Sequence, residues 1–443
     1  MTTNSLGLRK KIAEGKTKVL FAHPGIKDMI VVHSKDDVTA GDGAKHDLLP
    51  GKGAWATTTT CNVFRLLKAC GIPVAFGEQL DATHFSAPEC AMLPYEVVIR
   101  REAHGSFVDR NPHMRKGEVF PQLVLEFFCK TSGGKWRNHD LPKDDPLLAF
   151  TNGQVEFYYP GHNAEERKTA HKGALVGQAP FLTVPEAEFF TQPGEKSLLA
   201  EMGRWARKIF LILEKAWNLQ DKRIVDFKIE FGLDPGGNLV VADVIDSDSW
   251  RLVGSSGGYE CKQAYREGAP LDQVAEKYAS AAMLTGRFTI PTQRLILWRG
   301  SKKDEFTAFH QVLEELSLPA EVLRAHEEVT CSVHKQPERA CQIIRELVRQ
   351  VPNTVVVSLV GMSNGASPTL SAQITVPVIA VTGTFDKFPD DVWSSLRAPS
   401  FVPCSTIPGQ ANAILHALQI LGMNNPGIYA ALRFEQEKRM IEE

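Results

Sequence analysis

The stretch 225–246, VDFKIEFGLDPGGNLVVADVID, concentrates the side chains best able to do chemistry. Val225, Phe227, Ile229 and Phe231 alternate with Asp226, Lys228 and Glu230. This period of two predicts a half-buried strand with its charges on one face. A Gly-rich turn leads into a second apolar run that holds Asp243, so the segment predicts a hairpin folded about Gly236–Gly237. That fold sets Glu230 opposite Asp243, and like charges directly opposed repel. A hard cation is the simplest compensation, which makes Glu230 and Asp243 candidate metal ligands. The competing reading is a solvated acidic face.

Other segments offer complementary chemistry. In GKTK, Lys16 and Lys18 are two apart beside Gly15, and on a strand both ammonium groups would leave one face toward nucleotide phosphates. In TAGDGA, Asp42 lies between two glycines; the context is not that of a dinucleotide-binding turn. An apolar strand ends in Arg100 and Arg101 and reaches Gly105-Ser106. An arginine, a hydroxyl and a glycine-freed amide can together hold a phosphate monoester. Asp248 and Arg251 follow the hairpin in DSDSWRL. Further on, His334 and Lys335 precede a helix, with Ser332 just upstream. A helix N-terminus favours anions, and histidine suits proton transfer near neutral pH.

The elements that must position these groups fall into two textures. Roughly the first 250 residues mix strands and helices without strict alternation, which predicts an α+β domain. Predicted elements include a helix at 58–70, a strand at 96–100 and a helix at 196–217, with a loop at 254–261. Residues 267–292 read as a helical linker between a domain at 1–266 and a second at 293–443. The second domain alternates strand and helix: RLILWRG, a helix at 304–316, AEVLRAH as a strand, a helix at 337–350, TVVVSLV, a helix at 367–374, then PVIAVTG. Continuous apolar strands in such alternation predict a parallel sheet covered by helices, Rossmann- or flavodoxin-like. Ligands bind beyond the carboxyl ends of such strands. GSKKD, the stretch up to His334, and GMSNG would form one pocket there.

Bulk properties narrow the classes. A formal net charge of −2 gives no field that selects nucleic acid or anionic membrane. No apolar run reaches the ~20 residues of a membrane span, and MTTNSLGLRKK lacks the apolar core of a secretory signal. The eight cysteines are scattered without a C-x-x-C pair, as expected of reduced thiols in a cytoplasmic protein.

Several ordered pieces together carry a family resemblance. They are GKTK (15–18), TAGDGA (39–44), Met92 through Glu96, Arg100 through Ser106, DFKIEFG (226–232), Ala242-Asp243, DSDSWRL (246–252) and KQAYR (262–266). With these, the first part closely resembles phosphoribosylaminoimidazole-succinocarboxamide synthase. That family joins a ribotide carboxylate to aspartate, using ATP and Mg²⁺. The resemblance implies a two-lobed ATP-binding domain. In it Lys16 and Lys18 contact ATP phosphates, Glu230 and Asp243 hold Mg²⁺, and Met92 to Glu96 lies near the adenine. It also implies that Asp226 and Lys228 face the same cleft, and that Arg100 and Ser106 grip the substrate 5′-phosphate with Asp248, Arg251 and Arg266 nearby. Asp42 would touch the imidazole ribotide.

The second part is similar to the animal form of phosphoribosylaminoimidazole carboxylase, through the three strand-end segments, DVWSSLR (391–397) and CST (404–406). This implies direct carboxylation by CO₂ without biotin, and no biotin attachment sequence occurs in the chain. His334 would handle the imidazole proton with Lys335 beside it. Ser301, Asp304 and Ser332 would hold the ribotide, and Ser363, Asn364 and Gly365 would shape the CO₂ pocket. The carboxylase product is the ligase substrate, so a bifunctional enzyme of purine biosynthesis is expected, assembled as a homo-octamer. Lys303, Val333, Met362, Ser367 and Ala372 depart from the family's usual residues. The alternative is therefore a ligase whose second half is only an assembly scaffold; a kinase and an inert ribotide-binding scaffold are the remaining readings.

Overall fold

The alternating segment forms the strand Lys222–Leu233 of an eight-stranded sheet, next to the two short strands at one end of it. Its apolar side chains Val225, Phe227, Ile229 and Phe231 are all buried. The long helix Glu195–Asn218 packs against this strand and its neighbour Ala91–Glu102. The structure is a computed structural model that describes residues 7, 10–40, 45–131, 134–142, 144–161, 179–191, 194–323 and 326–442. It divides into two compact units, Met1–Phe288 and Thr289–Glu443.

In the first unit a four-stranded antiparallel sheet runs Lys11–Glu14, Lys18–Ala22, Met29–Ser34, His84–Pro88. The helix Lys52–Ala69 packs on it. In the larger sheet, Lys222–Leu233 pairs antiparallel with Ala91–Glu102 on one side, and with Leu239–Ala242 and Trp250–Gly254 on the other. The residues read as a linker hold a helix, Leu271–Thr285, that lies inside this unit. Its Val274 and Tyr278 share a buried cluster with Val38, Leu49 and Tyr265.

Two expectations about local geometry fail. The hairpin pairs Glu230 with Ala242, not Asp243. Its turn holds five residues, because the Asp234 carboxylate accepts the Asn238 backbone N–H at 2.8 Å and Gly237 N–H donates to Asp234 O. An odd loop shifts the fold axis to Gly236, and every pairing moves by one. Lys16 is not on a strand either. Gly15 N–H donates to Lys18 O at 2.9 Å, closing a tight turn that contains Lys16 and leaving only Lys18 on the strand.

The second unit is an all-parallel five-stranded sheet. In space its strands run His326–Thr330, Arg294–Arg299, Thr354–Val360, Val378–Thr382, Ser405–Thr406, which is chain order 2-1-3-4-5. That is the flavodoxin-type order, with its switch point between the first and third strands. The helices Pro337–Gln350 and Ala366–Ser371 share a core with Ile296, Trp298 and Val356. The helix Gln410–Gly422 packs on the third and fourth strands and on Thr307–Leu316. Of AEVLRAH, residues 320–323 form turns, Arg324 and Ala325 lie outside the described residues, and the second strand is the polar HEEVT, beginning at His326. The apolar Val322 of that run is buried in a turn instead, its N–H donating to Pro319 O.

Candidate functional site

Period-two geometry sends Asp226, Lys228 and Glu230 to one face of the strand Lys222–Leu233. Across the sheet, Glu230 is directly opposite Glu96. This is the like-charge pair of the site, and lysines neutralise it. Lys228 Nζ lies 2.5 Å from Glu96 Oε1 and 3.4 Å from Glu230 Oε1. Lys130 Nζ is 2.6 Å from Glu230 Oε2. Lys18 pairs with Asp243, whose backbone leaves the strand with φ of +65°. Burial works to raise the Glu230 carboxyl, but Lys228, Lys130 and Lys18 outweigh it and hold it below its ordinary value. Burial likewise opposes charge on Lys228, yet Glu96 and Glu230 raise it. Burial pushes the Lys18 ammonium down to about 8. The result is a run of alternating charge on one sheet face, with Met92 exposed at the start of the neighbouring strand.

Further along the same strand, Asp226 is only 3% exposed and accepts from both Arg100 and Arg251. Arg100 is as buried, and its guanidinium also donates to Glu126 at 2.7 Å, to His104 O and to Ser106 Oγ. Arg100, expected to grip the 5′-phosphate with Ser106, is buried and donates to the Ser106 hydroxyl of the Gly105-Ser106 loop. Arg251 lies over that loop, so close that a Cβ on Gly105 would fall 2.3 Å from its Nη2. Gly105 has φ of +58°, a conformation that favours glycine, and a side chain there would also push the Arg251 guanidinium aside. Arg251 and the exposed Arg266 both donate to Gln263 Oε1, at 3.4 and 3.3 Å.

Asp248 is tied into a second buried network. Lys52, 1% exposed, and Lys262 both reach its Oδ2, at 3.3 and 3.1 Å, and the Tyr278 hydroxyl donates to its Oδ1. Burial acts to raise this carboxyl, but Lys52 and Lys262 pull it well below the usual range. Asp42 lies outside the described residues.

In the second unit the three strand-end segments converge. Ser301 N–H donates to Asp304 Oδ2 at 2.9 Å, closing the loop after the first strand. A Cβ on Gly361, after the third strand, would fall 2.9 Å from Asp304 Oδ1. A Cβ on Gly365 would stand 3.5 Å from His334 Nε2. His334 and Lys335 are exposed, with Lys335 N–H donating to Ser332 Oγ at 3.4 Å. Burial raises the Asp304 carboxyl. Ser363 takes φ of +52°, its N–H held by the Asp391 carboxylate at 2.7 and 2.8 Å. Asn364 is fully buried, and the Ser367 hydroxyl donates to its Oδ1 at 2.7 Å.

Lys130, Glu126 and Lys52 have no place in the sequence analysis, and Lys262 and Asp391 enter it only as the first residues of KQAYR and DVWSSLR, with no role of their own. Glu126 carries a usable signal, an acid inside the apolar run VLEFFC. The lysines carry none, because each meets its partner only through tertiary pairing.

The chain matches two family models. One, described as SAICAR synthetase, covers residues 11–144 and 180–280; the other, described as AIR carboxylase, covers 295–442. The chain is 34% identical over 443 residues to Multifunctional protein ADE2 of Gallus gallus, covering 97% of this chain and 94% of the relative. It is 32% identical over 445 residues to the bifunctional phosphoribosylaminoimidazole carboxylase/phosphoribosylaminoimidazole succinocarboxamide synthetase of Homo sapiens, covering 98% and 94%. A solved phosphoribosylaminoimidazole-succinocarboxamide synthase from Ehrlichia chaffeensis is 24% identical with a TM-score of 0.47, covering 62% of this chain and 98% of that chain. Matched in both halves and along nearly its whole length, the chain belongs to the family of bifunctional AIR carboxylase/SAICAR synthetases, enzymes of purine biosynthesis.

Proposed function

We propose that the two clusters divide the two reactions between the units. The face bearing Glu96, Lys228, Glu230, Lys18 and Asp243 takes ATP with Mg²⁺ and serves the ligase. The pocket of Ser301, Asp304, Ser332, His334, Lys335, Ser363, Asn364 and Gly365 serves the carboxylase. The observation that carries the ligase reading is the pairing of both Glu230 and Asp243 with lysines. Mg²⁺ typically takes one or two protein carboxylates and completes its shell with phosphate oxygens and water. Glu230 and Asp243 fit that donor set, and the lysines they release are then free for phosphates. Bound Mg²⁺ supplies neutralisation of charge on the phosphoryl oxygens.

The remaining roles follow from position. Lys18, with Lys16 in the adjoining turn, holds ATP phosphates, and Met92 to Glu96 borders the adenine. Lys228, fixed between Glu96 and Glu230, presents positive charge to the phosphoryl group as the ribotide carboxylate is activated for attack by the aspartate amine. Ser106 and the Gly105 loop hold the ribotide 5′-phosphate with Arg251 and Arg266. Arg100 and Asp226 act from below by fixing Ser106 and Arg251. Asp248, held by Lys52 and Lys262, supports the same rim, and Asp42 contacts the imidazole ribotide. In the second unit His334 takes the proton lost from the imidazole carbon, and Lys335 favours the anionic carboxylate that forms. The exposed Lys303 adds a cation for the ribotide phosphate, so the departures in this pocket retune it.

Supplying aminoimidazole ribotide, bicarbonate, aspartate, ATP and Mg²⁺ is expected to yield the succinocarboxamide ribotide. Glu230→Gln and Asp243→Asn are each expected to stop the ligase step while carboxylation continues. His334→Asn is expected to stop carboxylation while added carboxylated ribotide is still consumed. Full ligase activity in both acid variants would refute the metal assignment, and carboxylation by His334→Asn would refute the proton role. We also propose a cytoplasmic homo-octamer that uses no biotin and binds neither nucleic acid nor membrane; light scattering that shows a monomer at micromolar concentration overturns the assembly. Among the described residues, no helix is long and apolar enough to cross a membrane.

A further inference from the structure

On the edge strand of the carboxylase sheet, His326 and Glu328 are two apart, so their side chains leave the same face. Both are exposed, and the buried Val329 that follows them points to the opposite face. The helix Thr307–Leu316 buries Phe309, Val312 and Leu316, and this turns His310 toward the strand. His310 Nε2 stands 3.0 Å from Glu328 Oε1, and the His310 and His326 rings meet edge-on with centroids 5.4 Å apart. One ligand-type atom from each of the three lies within 4.8 Å of the others, the only such His/Cys/Asp/Glu group among the described residues.

We propose that His310, His326 and Glu328 bind a transition-metal ion of the Zn²⁺ type, separate from the ligase and carboxylase sites. Two imidazoles and one carboxylate form a borderline donor set that suits Zn²⁺ and is poor for Mg²⁺ or Ca²⁺. Zn²⁺ bonds of ~2.0–2.2 Å place tetrahedral ligand atoms roughly 3.3–3.5 Å apart. The His310–Glu328 pair, at 3.0 Å, has only to open slightly to reach that spacing, and the exposed His326 ring has to swing inward.

The carboxylate is also held as a ligand is held. Arg299 Nη2 is 3.9 Å from Glu328 Oε2, leaving Oε1 to the site. Arg299 is itself fixed, its Nε donating to Thr330 Oγ1 at 2.8 Å and its guanidinium lying 4.9 Å from the Phe306 ring centre. Such outer partners orient ligating groups and tune affinity. A charged edge strand by itself needs no such arrangement, since isolated charges suffice to block edge pairing. Three protein ligands leave a fourth position for water, which makes the site open and reversible rather than closed and structural. Its ligands come from a helix and a strand, so an occupied site would clamp that helix to the sheet edge. The loop just before this helix carries Ser301 and Asp304, and Arg299 Nη1 also reaches Asp304 O at 3.5 Å.

The test uses the full chain with Mg²⁺ in large excess, so that hard-cation sites are filled. Calorimetric titration with Zn²⁺ is expected to show one saturable site per chain. His326→Gln and His310→Gln are each expected to weaken it about tenfold or more. Co²⁺ in its place is expected to give the visible absorption of a tetrahedral nitrogen–oxygen set, lost in the variants. Because His326 is exposed, the metal-free thermal midpoint of His326→Gln should match wild type, which separates a binding loss from a folding loss. No saturable Zn²⁺ uptake by the wild type, or uptake that survives both substitutions unchanged, overturns the proposal.

Discussion

The two units place their chemistry in opposite settings. In the ligase unit, the side chains proposed for the site sit within the sheet: Arg100, Asp226 and Glu230 are 3%, 3% and 6% exposed and are bound to one another or to close neighbours. In the carboxylase unit, Ser301, His334, Lys335 and Ser363 stand exposed on loops at the ends of parallel strands. An antiparallel sheet offers a face on which charges can be paired across strands, whereas a parallel sheet buries both faces and leaves only its strand ends for chemistry. Removing a charge from the first setting should therefore disturb stability and catalysis together. In the second, catalysis should be separable from folding.

The sharpest break in that contrast is Asp226→Ala. It removes the shared partner of two arginines, one fully buried, and breaking such a pair costs about 3–5 kcal/mol. Urea unfolding should show that loss for Asp226→Ala and a change within about 0.5 kcal/mol for the exposed His334→Asn. Equal midpoints for both variants would dissolve the distinction.

Gly105→Ala comes next. Its backbone conformation costs about 1–3 kcal/mol for a residue with a side chain. The new methyl also displaces Arg251, so ligase turnover should collapse while carboxylation persists. A variant with normal KM for the ribotide would show that the loop is not the phosphate grip.

Acid should separate the units more gently. Asp248 is held below its ordinary range, so between its folded value and the unfolded value near ~4 the unfolded chain carries the extra proton. Its contribution is complete above about pH 4 and drains as pH falls further. Asp304 is raised by burial, so in its window the folded state holds the extra proton, and stability there falls as pH rises. For one proton either slope is at most about 1.4 kcal/mol per pH unit. Hydrogen exchange resolved by unit should show the ligase unit opening first below pH 4, and Asp304→Asn should remove the carboxylase unit's opposite response.

The smallest effect is expected from Gly365→Ala. Its Cβ meets His334 Nε2 at 3.5 Å, an ordinary contact, and its φ of −72° suits any residue. Stability should change by less than about 0.5 kcal/mol. Carboxylase kcat/KM should fall a few-fold, and a hundredfold loss would mean that His334 tolerates no crowding.

How much of this was legible in the sequence depended on whether a feature was local. The strand through Asp226, the helix Glu195–Asn218 and the apolar parallel strands all follow from short-range periodicity. Register did not. The five-residue turn is set by one side-chain bond from Asp234, and without it Glu230 appeared to oppose Asp243 rather than Ala242. The lysines beside these acids were not legible either, because Lys18 and Lys130 reach Asp243 and Glu230 from distant chain positions. HEEVT was missed as a strand because edge positions need not be apolar, and the nearby AEVL carried a stronger apolar signal. The strand-end pocket was legible because strand–loop–helix order fixes which loops lie at the carboxyl edge, whatever the side chains do.

Tyr278 sets a limit on how the fused enzyme can be cut. Its hydroxyl, carried on the helix Leu271–Thr285, closes the Asp248 network of the ligase unit. A fragment ended at Arg266 would lose that helix and leave Asp248, Lys52 and Lys262 beside an open hole. A fragment ended at Phe288 keeps it. The heritable module is thus longer than the catalytic motifs, and recombination or proteolysis that yields a working ligase has to fall after the helix.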